Sequence, residues 1–253
     1  MRSQFPLETA QSLSAWGDTA VGEYRPSHDY PGISALVGLL GAALGLRRED
    51  EAAHATLRDA YGYAVGVQSS GTLLRDYHTA QVPSQASLKK RPHASRRDEL
   101  AIPRHDLNTI LSTRDYRQDA GFLVAIQASE GSPYPLEMLA DALRTPCFVL
   151  YLGRKACPPG APLHPQIIEA DSADQAFDTY LERLTEAITK LNGTVRGESL
   201  ELPPPVERIA WGQGIAVGLA PDLTVTRKDR PLRRKGWQFG DRSEHVALIR
   251  KEA

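Results

Sequence analysis

The chain is poor in the residues that staple or metallate small proteins: its 253 residues include two cysteines, Cys147 and Cys157, and two methionines. Nine residues separate the cysteines, and neither a CxxC pair nor a paired-histidine spacing accompanies them. That excludes a disulfide scaffold and a zinc finger. The two read as reduced, incidental thiols of a cytoplasmic protein. The seven histidines are scattered without HxxxH or HxxE spacing, so no metal ligand is assigned and no cofactor is expected. A GxSxG elbow, a GxGxxG fingerprint and a Walker sequence are all missing. Long apolar runs are missing too. The longest, 33–46, has 14 residues and stops at Arg47-Arg48, whereas a spanning helix needs about 20. No membrane partner is expected. Met1-Arg2 leads into polar residues and proline, so no secretory signal is expected either.

What is present is an ordinary globular composition, 41% hydrophobic and 24% charged, with chain enough for a large core. Residues 31–46 (PGISALVGLLGAALGL) read as a helix opened by Pro31 and closed near Gly45. Gly38, Gly41 and Gly45 share one face, which predicts close approach of another backbone there. Short β segments are predicted at 61–67 and 72–77, joined by a hairpin turn at 68–71, and at 122–127. Residues 136–143 form a short amphipathic helix, and 147–152 another apolar strand. The order is the βαββαβ pattern of an α+β, ferredoxin-like (RRM-like) fold. A long insertion without sustained period, from 79 to 114, follows its third strand. After Arg154 a proline-rich boundary leads to an acidic amphipathic helix at 173–191 and β-prone pieces at 224–227 and 246–250. Residues 1–155 are therefore expected as one domain, with 156–253 a small, partly β C-terminal lobe.

The charge has no excess of one sign overall: 30 Lys and Arg against 31 Asp and Glu give −1. By segment it is uneven. Six bases within 89–104 (Lys89, Lys90, Arg91, Arg96, Arg97, Arg104) face two acids, or +4. Residues 227–251 carry +6 and residues 169–186 carry −5. A basic insertion on such a core suits contact with a nucleic-acid backbone. Interleaved rings (Tyr77, Tyr116, Tyr151, Trp237, Phe239) suit single-stranded RNA, whose bases stack on them. The one cluster with the chemistry to cleave RNA without metal is Arg75-Asp76-Tyr77-His78 with Lys89 and Lys90. There Tyr77 or His78 would be the general base and Lys89 would stabilise the phosphorane. Polarity alone favours binding over cleavage. A solvated basic loop and a purely protein-facing scaffold are the blander alternatives.

Five segments occur in order: Ala15-Trp16-Gly17, Arg25-Pro26-Ser27, the glycine run 38–45, Leu74-Arg75-Asp76-Tyr77-His78-Thr79, and 151–158 (YLGRKACP). The chain resembles the CRISPR-associated Cas five family of the RAMP superfamily, in its type I-E Cascade form. The basic stretch 227–239 with Gln238-Phe239 is similar as well. The resemblance implies a β-hairpin thumb, about 78–118, on the ferredoxin-like core. It implies a non-catalytic RNA-binding subunit that holds the 5′ handle of the CRISPR RNA (crRNA) and caps the foot of an antiviral ribonucleoprotein complex. The implied partners are the crRNA, a CasC-type backbone subunit, a CasA-type large subunit, and target DNA near the handle–spacer junction. The runner-up is a metal-independent endoribonuclease acting on precursor RNA. Carried over by motif, the expected RNA-binding residues begin with Trp16, Gly17, Arg25 and Ser27. At the base of the thumb come Arg75, Tyr77 and His78, and within it Lys89, Lys90, Arg91, Arg96 and Arg97. Arg114 and Tyr116 lie on its return limb, and Tyr151, Arg154 and Lys155 follow the last strand. One departure stands out. Where the family opens on an apolar strand ending in Gly-Pro, this chain has Pro6 within the strand and Gln11-Ser12 at its end.

Overall fold

The computed structural model describes residues 3–10, 13–89, 91, 94–193 and 200–249, the first eight by backbone alone. Gln11 and Ser12 lie outside the described residues. The chain opens with β1 (Ser3–Ala10) and four two-residue strands: β2 (Leu13–Ser14), β3 (Trp16–Gly17), β4 (Tyr24–Arg25) and β5 (Ser27–His28). Helices α1 (Ile33–Ala43) and α2 (Glu51–Asp59) lead to β6 (Tyr61–Ser69) and β7 (Thr72–Pro83). Short helices α3 (Gln85–Leu88) and α4 (Arg96–Leu100) precede β8 (Leu107–Gln118), β9 (Gly121–Ala128) and α5 (Leu136–Arg144). Then come β10 (Ile168–Glu169), α6 (Ala173–Asn192), β11 (Arg208–Trp211), β12 (Leu223–Arg233) and β13 (Gln238–Leu248).

Strand β9 is apolar at nearly every position because both its faces are covered. Phe122, Val124 and Ile126 pack with Tyr63, Val65 and Val67 of β6 under Leu36 and Leu40 of α1 and Leu139 of α5. The intervening Leu123 and Ala125 pack on the other face under Phe177 and Tyr180 of α6. Phe177 is 1% exposed, and burying such a ring stabilises the fold by about 1.5–3 kcal/mol. The sheet runs β10-β1-β9-β6-β11-β13-β12, with every neighbouring pair antiparallel. Pro6 is accommodated in β1, opposite Ala125.

Several expectations are corrected here. Segments 61–67 and 72–77 are both strands, but they do not form a hairpin. At Gly71, whose φ is +62°, the chain leaves the sheet, and a Cβ there would lie 2.3 Å from the Gln118 carbonyl. β7 then pairs with β8 in unbroken register from Thr72 opposite Gln118 to Pro83 opposite Leu107. The insertion is thus a long β-hairpin placed between β6 and β9, which pair with each other, so it follows the second strand and not the third. Residues 147–152 form no strand, because α1 and the loop after β2 take their main-chain groups. The Cys147 and Phe148 N–H groups donate to the Ala43 and Ala42 carbonyls, and the Ala15 N–H donates to the Leu152 carbonyl. The strand beside β1 is β10 instead. The β-prone pieces at 224–227 and 246–250 fall in or beside β12 and β13, which extend the same sheet as β1, β6 and β9.

The glycine face of α1 receives side chains, not a backbone. An ideal Cβ on Gly38 would meet the Arg234 guanidinium at 3.7 Å, and one on Gly41 the His54 ring at 2.6 Å. Gly45, at φ +77°, ends the helix: the Leu46 N–H donates to the Gly41 carbonyl at 2.8 Å, a Schellman closure. At the other end, the Ile33 N–H donates to Asp229 Oδ2 at 3.0 Å. Asp229 belongs to a buried ion network that ties β12 to β13. Arg242 donates to it at 2.6 and 2.9 Å, and Arg227 donates to Glu244 at 3.1 Å. The C-terminal hairpin is thereby fixed against the start of α1.

Candidate nucleic-acid interface

A cleft of about 640 Å³ opens where the first turn of α1 meets the loops after β3 and β4 on one side and the β12–β13 hairpin on the other. Gly17, Arg25 and Arg154 form the first wall; Lys228, Arg233, Arg234, Trp237 and Phe239 form the second. Two carboxylates also line it. Asp229 is held by Arg242, and Asp18 sits 3.2 Å from His28. Five cations therefore outnumber two carboxylates, one of which is already paired with Arg242, and this favours a polyanion.

Asp115 on β8, 2% exposed, organises the first wall. Its carboxylate accepts from Arg75 Nε at 2.9 Å and Nη2 at 3.2 Å, and from the Tyr24 hydroxyl at 2.5 Å. Its main-chain carbonyl accepts from Arg154 Nη1 at 3.0 Å. Arg154 also donates to the Arg25 carbonyl at 3.0 Å and lies 4.7 Å from the centre of the Tyr116 ring. The Arg75 guanidinium, above all, holds the Asp115 carboxyl below the usual range, with the Tyr24 hydroxyl helping. The network docks the root of the β7–β8 hairpin against β4, which ends in Arg25.

The expected RNA-binding residues thus divide. Gly17, Arg25 and Arg154 line the cleft. Arg75 and Tyr116 support it through Asp115 and Arg154. Arg114, across the ladder from Asp76, hydrogen-bonds Ser112. Tyr151, 40% exposed, stands within electrostatic reach of Arg234, and Lys155 is exposed. Trp16 is 4% exposed, with its ring edge-on to Phe122, so it belongs to the core and its indole offers no stacking surface. Ser27 spends its hydroxyl locally, accepting the Trp16 N–H at 2.9 Å. The remaining bases lie elsewhere. Lys89 and Arg91 follow α3 at the far end of the hairpin, and Arg96 and Arg97 open α4; Arg96 is paired with Glu99 at 2.6 Å. Pro83 is about 26 Å along β7 from Arg75. Lys90 lies outside the described residues.

Tyr77 and His78 are adjacent on β7, opposite Thr113 and Ser112. Successive strand side chains point to opposite faces, so the two do not converge on one scissile phosphate, and Lys89 lies beyond the strand's end. The second wall joins the expected rings Trp237 and Phe239 to three cations that the motifs do not single out: Lys228, Arg233 and Arg234. Its signal was the +6 of residues 227–251.

Residues 6–243 match the model of a family described as CRISPR-associated protein (Cas_Cas5). The chain belongs to this Cas five family. It is 31% identical over 188 residues to the "CRISPR system Cascade subunit CasD" of Escherichia coli (strain K12), covering 71% of this chain and 78% of that one. Two solved structures share the fold. A chain of a "CRISPR RNA-guided surveillance complex" superposes with a TM-score of 0.61 at 24% identity, over 97% of this chain and 89% of its own. A "Crystal structure of Cas protein" gives 0.58 at 23%, over 97% and 94%. The Cas five match spans the first wall, the hairpin and the second wall, so the cleft lies within the family's shared region. No helix among the described residues is long and apolar enough to cross a membrane.

Proposed function

We propose that this Cas five chain is a non-catalytic subunit of a type I-E Cascade that grips the 5′ handle of the crRNA and caps the foot of the complex. The observation that carries the reading is the cleft. It gathers cations from residue 25, residue 154 and the stretch 228–234 into one concave surface beside the root of a long hairpin. Phosphate contact requires only charge and reach, and these residues have both. The relative's description as a Cascade subunit supports the assignment. Strands β10-β1-β9-β6 run fully antiparallel with α1 and α5 packed on one face, and on this basis we read the core as ferredoxin-like. The β7–β8 hairpin is the thumb. A CasC-type and a CasA-type subunit are the protein partners of this reading, and target DNA would pass near the thumb.

Filter binding of handle-containing and handle-less RNA to the full chain tests the proposal. Preference for the handle is expected, and equal affinity for both overturns handle recognition. The position of Lys89, past α3 and beyond the end of the strand that carries Tyr77 and His78, argues against the endoribonuclease alternative. Labelled repeat RNA incubated with the protein in EDTA is expected to stay intact; a specific cut lost in His78→Ala or Tyr77→Phe would reverse that choice.

A further inference from the structure

The tip of the β12–β13 hairpin is built in a way that folding alone does not require. Trp237 is 56% exposed and Phe239 41%. Their rings lie within 20° of parallel with centroids 6.5 Å apart. Trp237 sits at φ +52° immediately after Gly236 at +83°, a left-handed conformation that a bulky side chain rarely adopts. Such an outlier is a reason to look for function.

The turn is also fastened. Glu51 at the start of α2 accepts the Arg234 N–H at 3.0 Å and the Lys235 N–H at 2.8 Å. The Arg48 guanidinium stands 4.5 Å from the Trp237 ring centre. The aromatic pair is thus held in place on the cleft wall while its surface is left to solvent. Beside it, Arg234 is half-buried over Gly38. Its Nε has no hydrogen-bond partner, and among the described residues no carboxylate lies within ion-pair distance of it. Glu51 acts on this half-buried guanidinium only through space, so a ligand anion can still become its direct partner.

We infer that Trp237 and Phe239 form a stacking platform for one unpaired RNA base, whose flanking phosphate is taken by Arg234. This rests on the proposed RNA-binding reading and adds to it a nucleotide subsite on the tail hairpin, separate from the thumb. Stacking tolerates any base identity and adds no counterion release, whereas the Arg234 contact adds charge and salt dependence. The two halves of the subsite are therefore separable in solution.

The test uses the full chain and single-stranded RNA bearing the repeat-derived handle, intact or with one abasic position at a time. Trp16 and Trp211 are 4% and 8% exposed, so a change in tryptophan fluorescence on binding reports Trp237. Quenching is expected with the wild type. Trp237→Ala is expected to bind about 5- to 150-fold more weakly with an unchanged salt slope. Trp237→Phe should bind nearly as the wild type while losing the quench. Arg234→Gln should flatten the salt slope by about 0.7. One abasic position should weaken the wild type and cost Trp237→Ala nothing more. Handle preference without quenching, and with wild-type affinity in Trp237→Ala, would overturn the platform and leave the RNA-binding reading intact. Loss of handle preference in the wild type would overturn both. Quenching that appears only when a partner subunit is added would make the platform a protein contact and also overturn it.

Discussion

Salt dependence is the most direct consequence of the RNA binding proposed for the cleft. Arg25, Arg154, Lys228, Arg233 and Arg234 line it, and each phosphate neutralised on a single strand contributes about −0.7 to the slope of log K against log salt. Full engagement of the five gives a slope near −3.5, so affinity should fall about 100-fold between 50 and 200 mM salt. Arg154 carries its charge into the cleft even though its Nη atoms are spent on the Asp115 and Arg25 carbonyls. Counterion release depends on charge and proximity more than on free donors. Fluorescence anisotropy of labelled handle RNA across a salt series measures the slope. Arg233→Gln and Lys228→Gln should each flatten it by about 0.7, one from each phosphate lost. A steeper slope that returns toward −3.5 on neutralising Lys89 and Arg97 would assign the excess to the far end of the hairpin. A slope shallower than about −1, or one indifferent to Arg233 and Lys228, would refute the cleft as the RNA surface.

Other consequences concern the scaffold that shapes the cleft. Asp115→Ala removes the acceptor shared by Arg75 and Tyr24 and should destabilise the protein by about 1–3 kcal/mol in urea titrations at pH 7. Because Asp115 titrates below its ordinary value in the folded protein, its contribution is full above about pH 4, the unfolded carboxylate's pKa. It is lost as pH falls through the folded value. The wild-type advantage over Asp115→Asn should therefore shrink on acidification; an advantage unchanged at pH 3 would contradict this. Asp229→Ala removes one of the two carboxylates on Arg242, Glu244 being the other, and deprives α1 of its cap, and should cost about 1–3 kcal/mol by the same titration. Gly153 has φ +84°, and a Cβ there would fall 1.7 Å from the Ala15 carbonyl oxygen. Gly153→Ala should lose more than about 1 kcal/mol and weaken RNA binding by moving Arg154; wild-type stability would refute it.

How much of this was legible before folding depended on whether burial wrote a local pattern. Residues 122–127 and the glycine helix were legible because their partners sit on fixed faces at fixed spacing, and Gly45 marked the helix end for a local steric reason. The long hairpin was expected only through the family resemblance and left no local pattern, because most of β7 is exposed on both sides. A strand with no buried face shows no alternation, so only its first half drew notice. Residues 147–152 misled in the opposite way. They are apolar like a strand, but their N–H and carbonyl groups serve the end of α1 and the loop at Ala15, a commitment that no local pattern records. The cleft was half legible for the same reason. Charge could be summed by segment, and the +6 of the tail stood out. Nothing near residues 228–239, however, says that Asp229 will cap a helix about 200 residues earlier or that Arg234 will lie over Gly38. Those long-range contacts convert two basic stretches into two facing walls. The net charge of −1 then reads as a cancellation: the cations line a concave surface, while the acids of 174–186 lie along α6, which covers the opposite face of the sheet from α1. A protein that grips a polyanion on one side gains by keeping the compensating charge on the other, where it repels the same ligand from the wrong face.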